Sequence, residues 1–472
     1  MTAVARHSAT GRWPLLCALL AALACGACSD GDAAAKPADG GTDTETDTGP
    51  ATIDWEIEMV EDANMGYQVR LAVGPDGAPA VAYFGNEGYQ DGICDEIEVD
   101  PPPRVRYDLR FAERTGPDQW AAELVDAPEV AFTPNGLDLA FDPDGCPAVA
   151  YTGGTPEFVY CGGNDAVLGV RDGASWTFQT AAETSGQAAT GVAASDSGHV
   201  VGIWPALVYD PAGEPAILYK DSHFGTLQHD DQYRADAELA WRSGGSAWSH
   251  EAVDPGQGAG DYGDLVFDGE GRPVAFYAIV VEDLDEPRHG VWAARRDAEG
   301  PWEIVKLHTG AIHQEISAAV HPASGDLIAA FYSAADKAVR LRRLSDPAQF
   351  ADASAWSSEL VGKAQYDEGL GVSLAIAPSG RVALAYHRCR LITSTSEGCD
   401  PNDEAVILAI EDGDAFSYHT VVESEAGSCG SFVSLGFDQQ GAAYVAYRCT
   451  VQEGEEFSFR PFVAIGQVED AE

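Results

Sequence analysis

The chain has 472 residues, of which 76 are acidic and 27 are lysine or arginine, so its formal net charge at pH 7 is −49. This charge excludes nucleic acid and anionic lipid surfaces as expected partners, because such partners are held by clustered lysine and arginine. Apolar residues make up 45% of the sequence, enough for a large globular core. The acidic field would attract cationic ligands or Ca²⁺, although solubility alone also accounts for it.

Residues 1–24 have the pattern of an export signal. Arg6 and Arg12 make the start positive, the segment from Trp13 to Ala24 is apolar, and small residues with cysteines follow. The run is shorter than the ~20 residues that a transmembrane helix needs. We therefore expect export, and no membrane contact other than through a lipid.

A cysteine directly after Leu-Ala or Gly-Ala resembles the lipobox of bacterial lipoproteins, in which the signal is cut before a cysteine that carries lipid. Cys25 follows Leu-Ala and Cys28 follows Gly-Ala, but neither has a leucine three residues earlier. Cys25 fits better because it follows the apolar run directly, and an ordinary secretory signal is the alternative. The resemblance implies a bacterial cell-envelope protein anchored to the outer membrane by lipid.

Residues 25–52 form an acidic, low-complexity segment. Between Ser29 and Pro50 no apolar residue is larger than alanine, so the segment cannot bury enough surface to order itself. Charged linkers extend by self-repulsion. We expect a tether between the lipid and the globular domain.

One hairpin motif recurs seven times and organises residues 53–472. Its clearest copy is the segment 75–83, Pro-Asp-Gly-Ala-Pro-Ala-Val-Ala-Tyr. Proline presets φ and glycine accepts positive φ, so these segments form turns for identifiable reasons. Repeats of this length indicate a solenoid, a propeller or another array. The turn glycines are Gly77, Gly145, Gly213, Gly271, Gly325, Gly380 and Gly441, and an aromatic stands six residues after each: Tyr83, Tyr151, Tyr219, Tyr277, Phe331, Tyr386 and Tyr447.

The strand before each turn alternates large apolar residues with small or β-branched ones. This pattern indicates a strand that is buried on both faces. Six residues before the glycine stands a leucine in six copies, whereas Ala319 takes the position in the fifth copy. The leucines are Leu71, Leu139, Leu207, Leu265, Leu374 and Leu435.

Each repeat supplies four strand candidates, and the fourth begins with an aromatic residue. Only six such strands follow the repeats, but Trp55–Val60 matches Trp120–Val125 and supplies the seventh. We therefore predict an all-β fold that resembles a seven-bladed β-propeller, closed by an N-terminal strand that completes the last blade. Val192–Trp204 is interpreted as a spare hairpin inserted before the third blade. The six aromatics are Trp120, Trp176, Trp248, Trp302, Trp356 and Phe416.

In a propeller, the loops between strands two and three and those between blades share one face. Loops of unequal length on a rigid scaffold are where binding tends to occur, and several polar residues fall in them here. Histidine with carboxylate suits divalent metals, but the His-x5-His spacing matches no recognised ligand pattern, so we predict no metal site. The candidate ligand-binding residues are Asp221, His223, His229, Asp230, His313, Glu315, His387, Arg388 and Arg390.

Disulfides are expected in an exported protein. Cys389 and Cys399 lie in one loop, and Cys429 with Cys449, and Cys146 with Cys161, are plausible pairs within their own repeats. Cys94 is then left over. The Asp-Pro-Asp-Gly turns supply oxygen ligands that suit Ca²⁺, but each turn has too few, so turn capping is the better explanation and no cofactor is predicted.

The enzyme family that this architecture resembles is the sialidases. Their chemistry needs an arginine cluster for the substrate carboxylate, and here only Arg70, Arg388 and Arg390 are suggestive. The family's Asp-box has its closest match in Arg171–Trp176, which departs from it in spacing. The resemblance thus covers architecture and no catalytic motif.

These observations favour a non-catalytic interaction module. We expect a monomer that binds a protein or glycan through its loop-rich face. The alternative is a propeller-type glycoside hydrolase or lyase, and a mainly structural envelope protein is a third possibility. Three arginines, or two carboxylates ~5–9 Å apart, in one pocket would favour the enzyme.

Overall fold

The structure is a computed structural model, and it describes residues 53–90, 104–127, 129–130, 136–154, 165–183, 200–222, 235–255, 258–280, 287–297, 300–310, 315–362, 366–391, 399–423, 428–453 and 456–468. The predicted signal and tether, with Cys25 and Cys28, lie outside these residues. No helix of the described part is long and apolar enough to cross a membrane. Its helical content is one 3₁₀ turn, Pro347–Gln349.

The strands form seven antiparallel sheets, or blades, each with four strands in its path from the central channel outward; in six of them the four strands are consecutive in the chain. The first three blades contain β2 (Met65–Val73), β3 (Pro79–Gln90), β4 (Arg104–Gly116) and β5 (Gln119–Asp126), with β6 (Glu129–Val130) beside β4; then β7 (Leu137–Phe141), β8 (Pro147–Gly153), β9 (Asp165–Asp172) and β10 (Ser175–Ala182); then β11 (Val200–Tyr209), β12 (Pro215–Ser222), β13 (Ala235–Arg242) and β14 (Trp248–Asp254).

The next three blades contain β15 (Ala259–Phe267), β16 (Pro273–Ile279), β17 (Gly290–Arg296) and β18 (Trp302–Thr309); then β19 (Ile316–Val320), β20 (Leu327–Ser333), β21 (Ala338–Leu344) and β22 (Ser357–Val361); then β23 (Tyr366–Ile376), β24 (Val382–Leu391), β25 (Cys399–Asp412) and β26 (Ala415–Glu423). The seventh contains β27 (Cys429–Phe437), β28 (Ala442–Glu453) and β29 (Glu456–Gln467), with β1 (Trp55–Met59) outermost.

The seven-bladed all-β propeller predicted from the repeats is confirmed. The outer strand of the seventh blade comes from the other end of the chain. Trp55 of β1 pairs with Gly466 of β29, and Met59 pairs with Phe462. The ring is therefore closed by backbone hydrogen bonds between its first and last strands.

The repeated aromatics are scaffold, as the repeat predicts. Six tyrosines and Phe331 are fully buried between neighbouring blades. Two of the tyrosine hydroxyls also donate to a carboxylate at the end of the preceding blade's outer strand. Tyr277 donates to Asp254 at 2.9 Å, and Tyr151 donates to Asp126. A buried hydroxyl is thus satisfied by the neighbour that it packs against.

The glycine turns define one face of the ring, which we call the turn face; the opposite face, with the loops between strands two and three, is the loop face. Turn carboxylates cap their own turns, since Asp142 Oδ1 accepts from the backbone N–H groups of Asp144 and Cys146. In the fifth blade the turn is one residue longer, because the N–H of Gly325 donates to the carbonyl of His321, four residues earlier.

This longer turn corrects one sequence assignment. Val81 and Ala329 each stand four residues after their turn glycine. Val81 pairs with Leu71 in the first blade, and Ala329 pairs with Ala318 in the fifth. Ala318 therefore takes the repeated leucine position, and not Ala319.

The predicted spare hairpin before the third blade is also wrong in its last part. Val200–Tyr209 is one strand, the inner strand β11 of the third blade, and Trp204 lies within it. Residues 184–199 lie outside the described part of the chain.

Of the predicted disulfides, Cys429–Cys449 is present. Cys389 is disulfide-bonded, and the side chain of its predicted partner Cys399 lies outside the described side chains. Cys146 is a free thiol, which corrects the predicted pair with Cys161. Cys146 lies at the turn-face end of β8, whereas the chain leaves β8 towards Cys161 at the opposite end. The two ends of this seven-residue strand are about 20 Å apart.

Candidate functional site at the mouth of the central channel

Seven side chains, one from the inner strand of each blade, line the central channel. They stand at the same register position, one residue before the repeated leucine position. Together they border a cavity of about 180 Å³. In blade order these residues, the channel ring, are Arg70, Asp138, Ala206, Asp264, Ser317, Ser373 and Ser434.

The three serines of the channel ring connect each blade to the next. Ser434 Oγ accepts a hydrogen bond of 3.0 Å from the backbone N–H of Leu71, across the closure of the ring. Ser317 accepts from Leu374 N–H at 2.9 Å, and Ser373 accepts from Leu435 N–H in the same way. The channel ring is thus an interblade hydrogen-bond network.

The two aspartates of the channel ring complete this network where the preceding blade has no acceptor. Arg70 and Ala206 have no side-chain acceptor, and an aspartate follows each of them in the next blade. Asp264 Oδ1 accepts from its own blade, from Leu265 N–H at 2.7 Å, and its Oδ2 accepts from Ala318 N–H at 2.6 Å. Asp138 makes the equivalent pair of bonds. A carboxylate has two acceptor oxygens, so it satisfies the donor that its predecessor leaves unpaired.

This arrangement predicts that an interblade hydrogen bond lost on replacing an aspartate can be restored by a serine acceptor in the preceding blade. Asp264→Ser keeps an acceptor for Ala318 N–H but leaves Leu265 N–H without one, and we expect a loss of about 1–2 kcal/mol in the free energy of unfolding. Adding Ala206→Ser supplies the missing acceptor and should restore most of the loss. Urea unfolding at pH 5 measures both variants.

Ala206→Ser alone is the control, with expected stability close to that of the unchanged protein. A double variant no more stable than Asp264→Ser would contradict the repair.

Charge is concentrated in the channel. Arg70 Nη2 lies 2.7 Å from Glu315 Oε1, and its Nε lies 3.9 Å from Asp138 Oδ1. Burial raises the pKa of Asp138 to about 6, although Arg70 opposes the rise. Burial, together with the charge of Asp138, raises the pKa of Asp264 to about 7. Three carboxylates thus share one arginine, and the aspartates titrate near neutral pH.

Above the channel ring, towards the loop face, each inner strand has a second non-repeating position, two residues earlier. We call these positions the rim. Four rim residues have positive φ although they are not glycine, namely Gln68, Trp204, Tyr262 and Phe432, with φ of 52–56°. Gly136 and Gly371 hold the same position in two further blades. A left-handed conformation costs roughly 1–2 kcal/mol for an ordinary residue, so this backbone must be imposed by the surrounding fold.

A glycine two residues before each of these four non-glycine rim residues explains how the fold imposes the positive φ. A Cβ at Gly202 would lie 2.6 Å from the Cα of Ala166, and one at Gly260 would lie 3.0 Å from the Cα of Lys220. The inner strand therefore begins against the backbone of the preceding blade and needs glycine there. Gly66, Gly369 and Gly430 repeat the device. The bulge is scaffold, whereas the side chains that it presents differ between blades.

Two neighbouring rim side chains are aromatic. The ring centroids of Trp204 and Tyr262 are 4.7 Å apart at an interplanar angle of 45°, and both residues are half-buried. Burial and the charges of Asp261 and Glu315 raise the pKa of Tyr262 to about 12. Glu315 holds the rim position of blade 5, two residues before Ser317, so the aromatic pair of blades 3 and 4 lies beside the partner of Arg70.

The loop face is asymmetric. The second and third strands of blades 6, 7 and 1 are 10–14 residues long, whereas those of blades 2–5 have 7 or 8 residues. The hairpins of these three adjacent blades therefore have longer strands than those of the other blades, and we call them the long hairpins.

The candidate residues from the sequence are only partly brought together. Glu315 and Arg70, both singled out, form the ion pair at the channel. Asp221 is instead buried within β12, and His387 Nε2 lies 3.6 Å from Glu404 Oε2. Arg388 packs on the ring of Tyr366 at 4.5 Å. Outside the described residues or side chains lie His223, His229, Asp230, His313 and Arg390.

Sequence reasoning missed the channel aspartates and the rim aromatics. Asp138 and Asp264 stand seven residues before their turn glycines, and Trp204 and Tyr262 stand nine before theirs, so alignment on the glycines would have exposed both positions. Among the described residues no three or more His, Cys, Asp or Glu side chains are grouped to hold a metal ion.

No protein-family model and no curated protein matches this chain. Solved structures do resemble it. A protein of unknown function from Dyadobacter fermentans is 10% identical, covers 87% of this chain and 98% of its own, and has a TM-score of 0.48. A polysaccharide lyase is 12% identical over 86% and 90%, with a TM-score of 0.45. A sialidase from Streptococcus pneumoniae is 9% identical over 86% and 69%, with a TM-score of 0.40. At these identities the likeness concerns the fold.

Proposed function

We propose that this protein is an exported, lipid-anchored, non-catalytic module that binds a glycan at the mouth of its channel. The observation that carries the proposal is the half-buried Trp204–Tyr262 pair beside the Arg70–Glu315 ion pair. Binding sites typically combine an apolar, aromatic wall with a few fixed polar groups. Glycans match this combination, because a sugar ring has an apolar C–H face and a polar hydroxyl edge.

The backbone at the rim supports a binding role. Two large aromatic residues are held at positive φ, where an ordinary residue is strained, and such strain tends to cluster at ligand sites. The strained bulge itself recurs in other blades, where glycine, glutamine or phenylalanine occupies the rim. The aromatic pair is therefore specific to blades 3 and 4, as expected for a site rather than for scaffold.

A glycoside hydrolase or lyase is the second candidate. Asp138, Asp264 and Glu315 border one cavity, and burial raises the pKa of both aspartates towards neutrality. General acids need such values. However, both oxygens of each aspartate accept backbone N–H groups of the scaffold. The cavity of about 180 Å³ is also smaller than the ~300–1,000 Å³ of most ligand pockets, so the geometry favours binding at the rim.

The paired replacement Trp204→Ala with Tyr262→Ala tests the binding site. We expect it to weaken glycan binding about 30-fold or more, since truncating central aromatic contacts typically costs 2 kcal/mol or more. A glycan array on the soluble part identifies the ligand, and calorimetric titration measures its affinity. Phe178→Ala is the matched control, because Phe178 is an exposed aromatic (46%) on an outer strand.

Three results would redirect the proposal. Unchanged affinity in the paired variant would reject the rim as the site. Cleavage products from the bound glycans, lost on replacing both channel aspartates by serine, would favour the enzyme. Retention of a protein partner, without glycan binding, would favour a protein ligand. Labelling with a lipid precursor, repeated on Cys25→Ala and Cys28→Ala, tests the anchor.

A further inference from the structure

In the part of the chain that the structure describes, the contacts of the Arg448 cation are with aromatic rings and not with acids. Arginines of this acidic chain commonly pair with carboxylates, as Arg114 does with Glu58. Within the described residues, the side chain of Arg448 has neither a hydrogen bond nor a carboxylate partner. Its guanidinium lies over three rings, those of Phe459, Phe432 and Tyr67, with Cζ-to-centroid distances of 4.4, 4.9 and 5.3 Å.

The position of Arg448 is well determined by its surroundings. A Cβ at Gly66 would lie 3.4 Å from Arg448 Cγ, so the absence of a side chain there makes room for the aliphatic stem. The next residue, Cys449, is bonded to Cys429 of the neighbouring inner strand. These contacts fix the stem while the three rings hold the guanidinium. We call Arg448 with its three rings the arginine box.

The arginine box lies on the same rim as the proposed binding site, across the channel from the Trp204–Tyr262 pair. Phe432 is the rim residue of blade 7, and Tyr67 immediately precedes Gln68, the rim residue of blade 1. Arg448 and Phe459 belong to β28 and β29, which form one of the long hairpins. The box therefore bridges blades 7 and 1 on the side of the rim that carries the long hairpins.

Burial lowers the pKa of Arg448, yet a guanidinium stays protonated at physiological pH. A half-buried positive charge without a counter-charge is unfavourable in the free protein. An anion that reached it would gain a planar, two-donor contact, the geometry that matches a carboxylate. The net charge of −49 does not prevent this, because salt screens charge beyond about 8 Å at physiological ionic strength.

We propose that the arginine box is an anion subsite and that the ligand is an acidic glycan, with a carboxylate that pairs with Arg448. This inference rests on the proposed glycan-binding function and names its ligand class. The Trp204–Tyr262 pair takes a sugar face, and Arg448 selects the charged sugar.

The test compares oligogalacturonate and oligoglucuronate with their methyl esters, which keep the sugar ring and remove the charge. We expect the unchanged protein to bind at least one acid about tenfold or more tighter than its ester. Arg448→Gln should reduce that acid's affinity to the level of the ester and leave the ester's affinity unchanged. Arg448→Lys, which keeps the charge but not the planar fork, should retain a weaker preference.

Arg342→Gln is the matched control, since Arg342 donates to the carbonyl of Ala353 on the fifth blade, and it should keep the full preference. Equal binding of acid and ester, or a preference that survives Arg448→Gln, would overturn the subsite. Tighter binding of a sulfated oligosaccharide than of the acids would overturn its assignment to a carboxylate. Failure of every charged and neutral glycan to bind would instead reject the proposed function itself.

Discussion

Replacing Glu58 with alanine should lower the free energy of unfolding by about 3–5 kcal/mol, because it leaves buried hydrogen-bond donors and a charge unpaired. Glu58 lies on the closing strand β1 and is fully buried. Its carboxylate accepts two bonds from Arg114, at 2.9 and 2.6 Å. Asp118 N–H and Trp120 Nε1 each add a bond of 2.9 Å. All three partners belong to blade 1.

Glu58 thus fastens the outer strand of the last blade to the first blade. Burial alone would raise the pKa of Glu58, but the hydrogen bonds from Arg114 and from Asp118 N–H outweigh it and lower the pKa below its usual value. The stabilisation should therefore be complete above pH ~4.5 and disappear as the pH falls through the lowered pKa.

Equilibrium unfolding in urea at pH 7 measures the loss. Glu56→Ala is the matched control: Glu56 lies on the same strand and carries the same charge but is exposed. We expect the control to change stability by less than about 0.5 kcal/mol. A Glu58→Ala variant as stable as the control would show that β1 is not fastened through this carboxylate.

Raising the pH from 5 to 8 should destabilise the unchanged protein by roughly 2–3 kcal/mol more than the Ala206→Ser, Asp264→Ser variant. The pKa of Asp264 is about 7 in the folded protein, against about 3.9 in an unfolded chain. Between these values the folded state keeps a proton that the unfolded state has lost, so stability falls as the pH rises.

The double variant is the suitable reference, because it removes the Asp264 carboxylate while keeping an acceptor for each interblade N–H. The general repulsion among 76 acidic residues affects both proteins almost equally and cancels in the comparison. Unfolding free energies at pH 5, 6, 7 and 8 measure the difference. Parallel pH profiles would show that Asp264 ionises normally in the folded protein.

The repeats predicted the blades, because turn glycines, aromatics and leucines recur at a fixed register and each has a local physical reason. Matching Trp55–Val60 to Trp120–Val125 placed the closing strand correctly. The fifth blade was misaligned by one residue, since a turn longer by one residue still ends in glycine and resembles the others.

The site was less accessible to sequence reasoning. Each aspartate of the channel ring accepts one bond from its own blade and one from a backbone N–H of the next blade, and the bond between blades has no sequence signature. Aromatic residues do not favour positive φ, so the sequence does not predict this backbone conformation at Trp204 and Tyr262. It follows from the close packing of Gly202 and Gly260 against the preceding blades. Likewise, the unusual feature of Arg448 is the lack of an acidic neighbour among the described residues. That can be recognised only when the surrounding distances are known.

The pairing of the closing strand also determines on which side the chain enters the ring. Trp55 lies opposite Gly466, near the end of β29, and β29 runs from the loop face towards the turn face. The chain therefore joins the propeller at the turn face, on the perimeter of blade 7. The rim and the arginine box lie on the opposite face of the ring. The strand that closes the ring thus enters it away from the proposed binding surface.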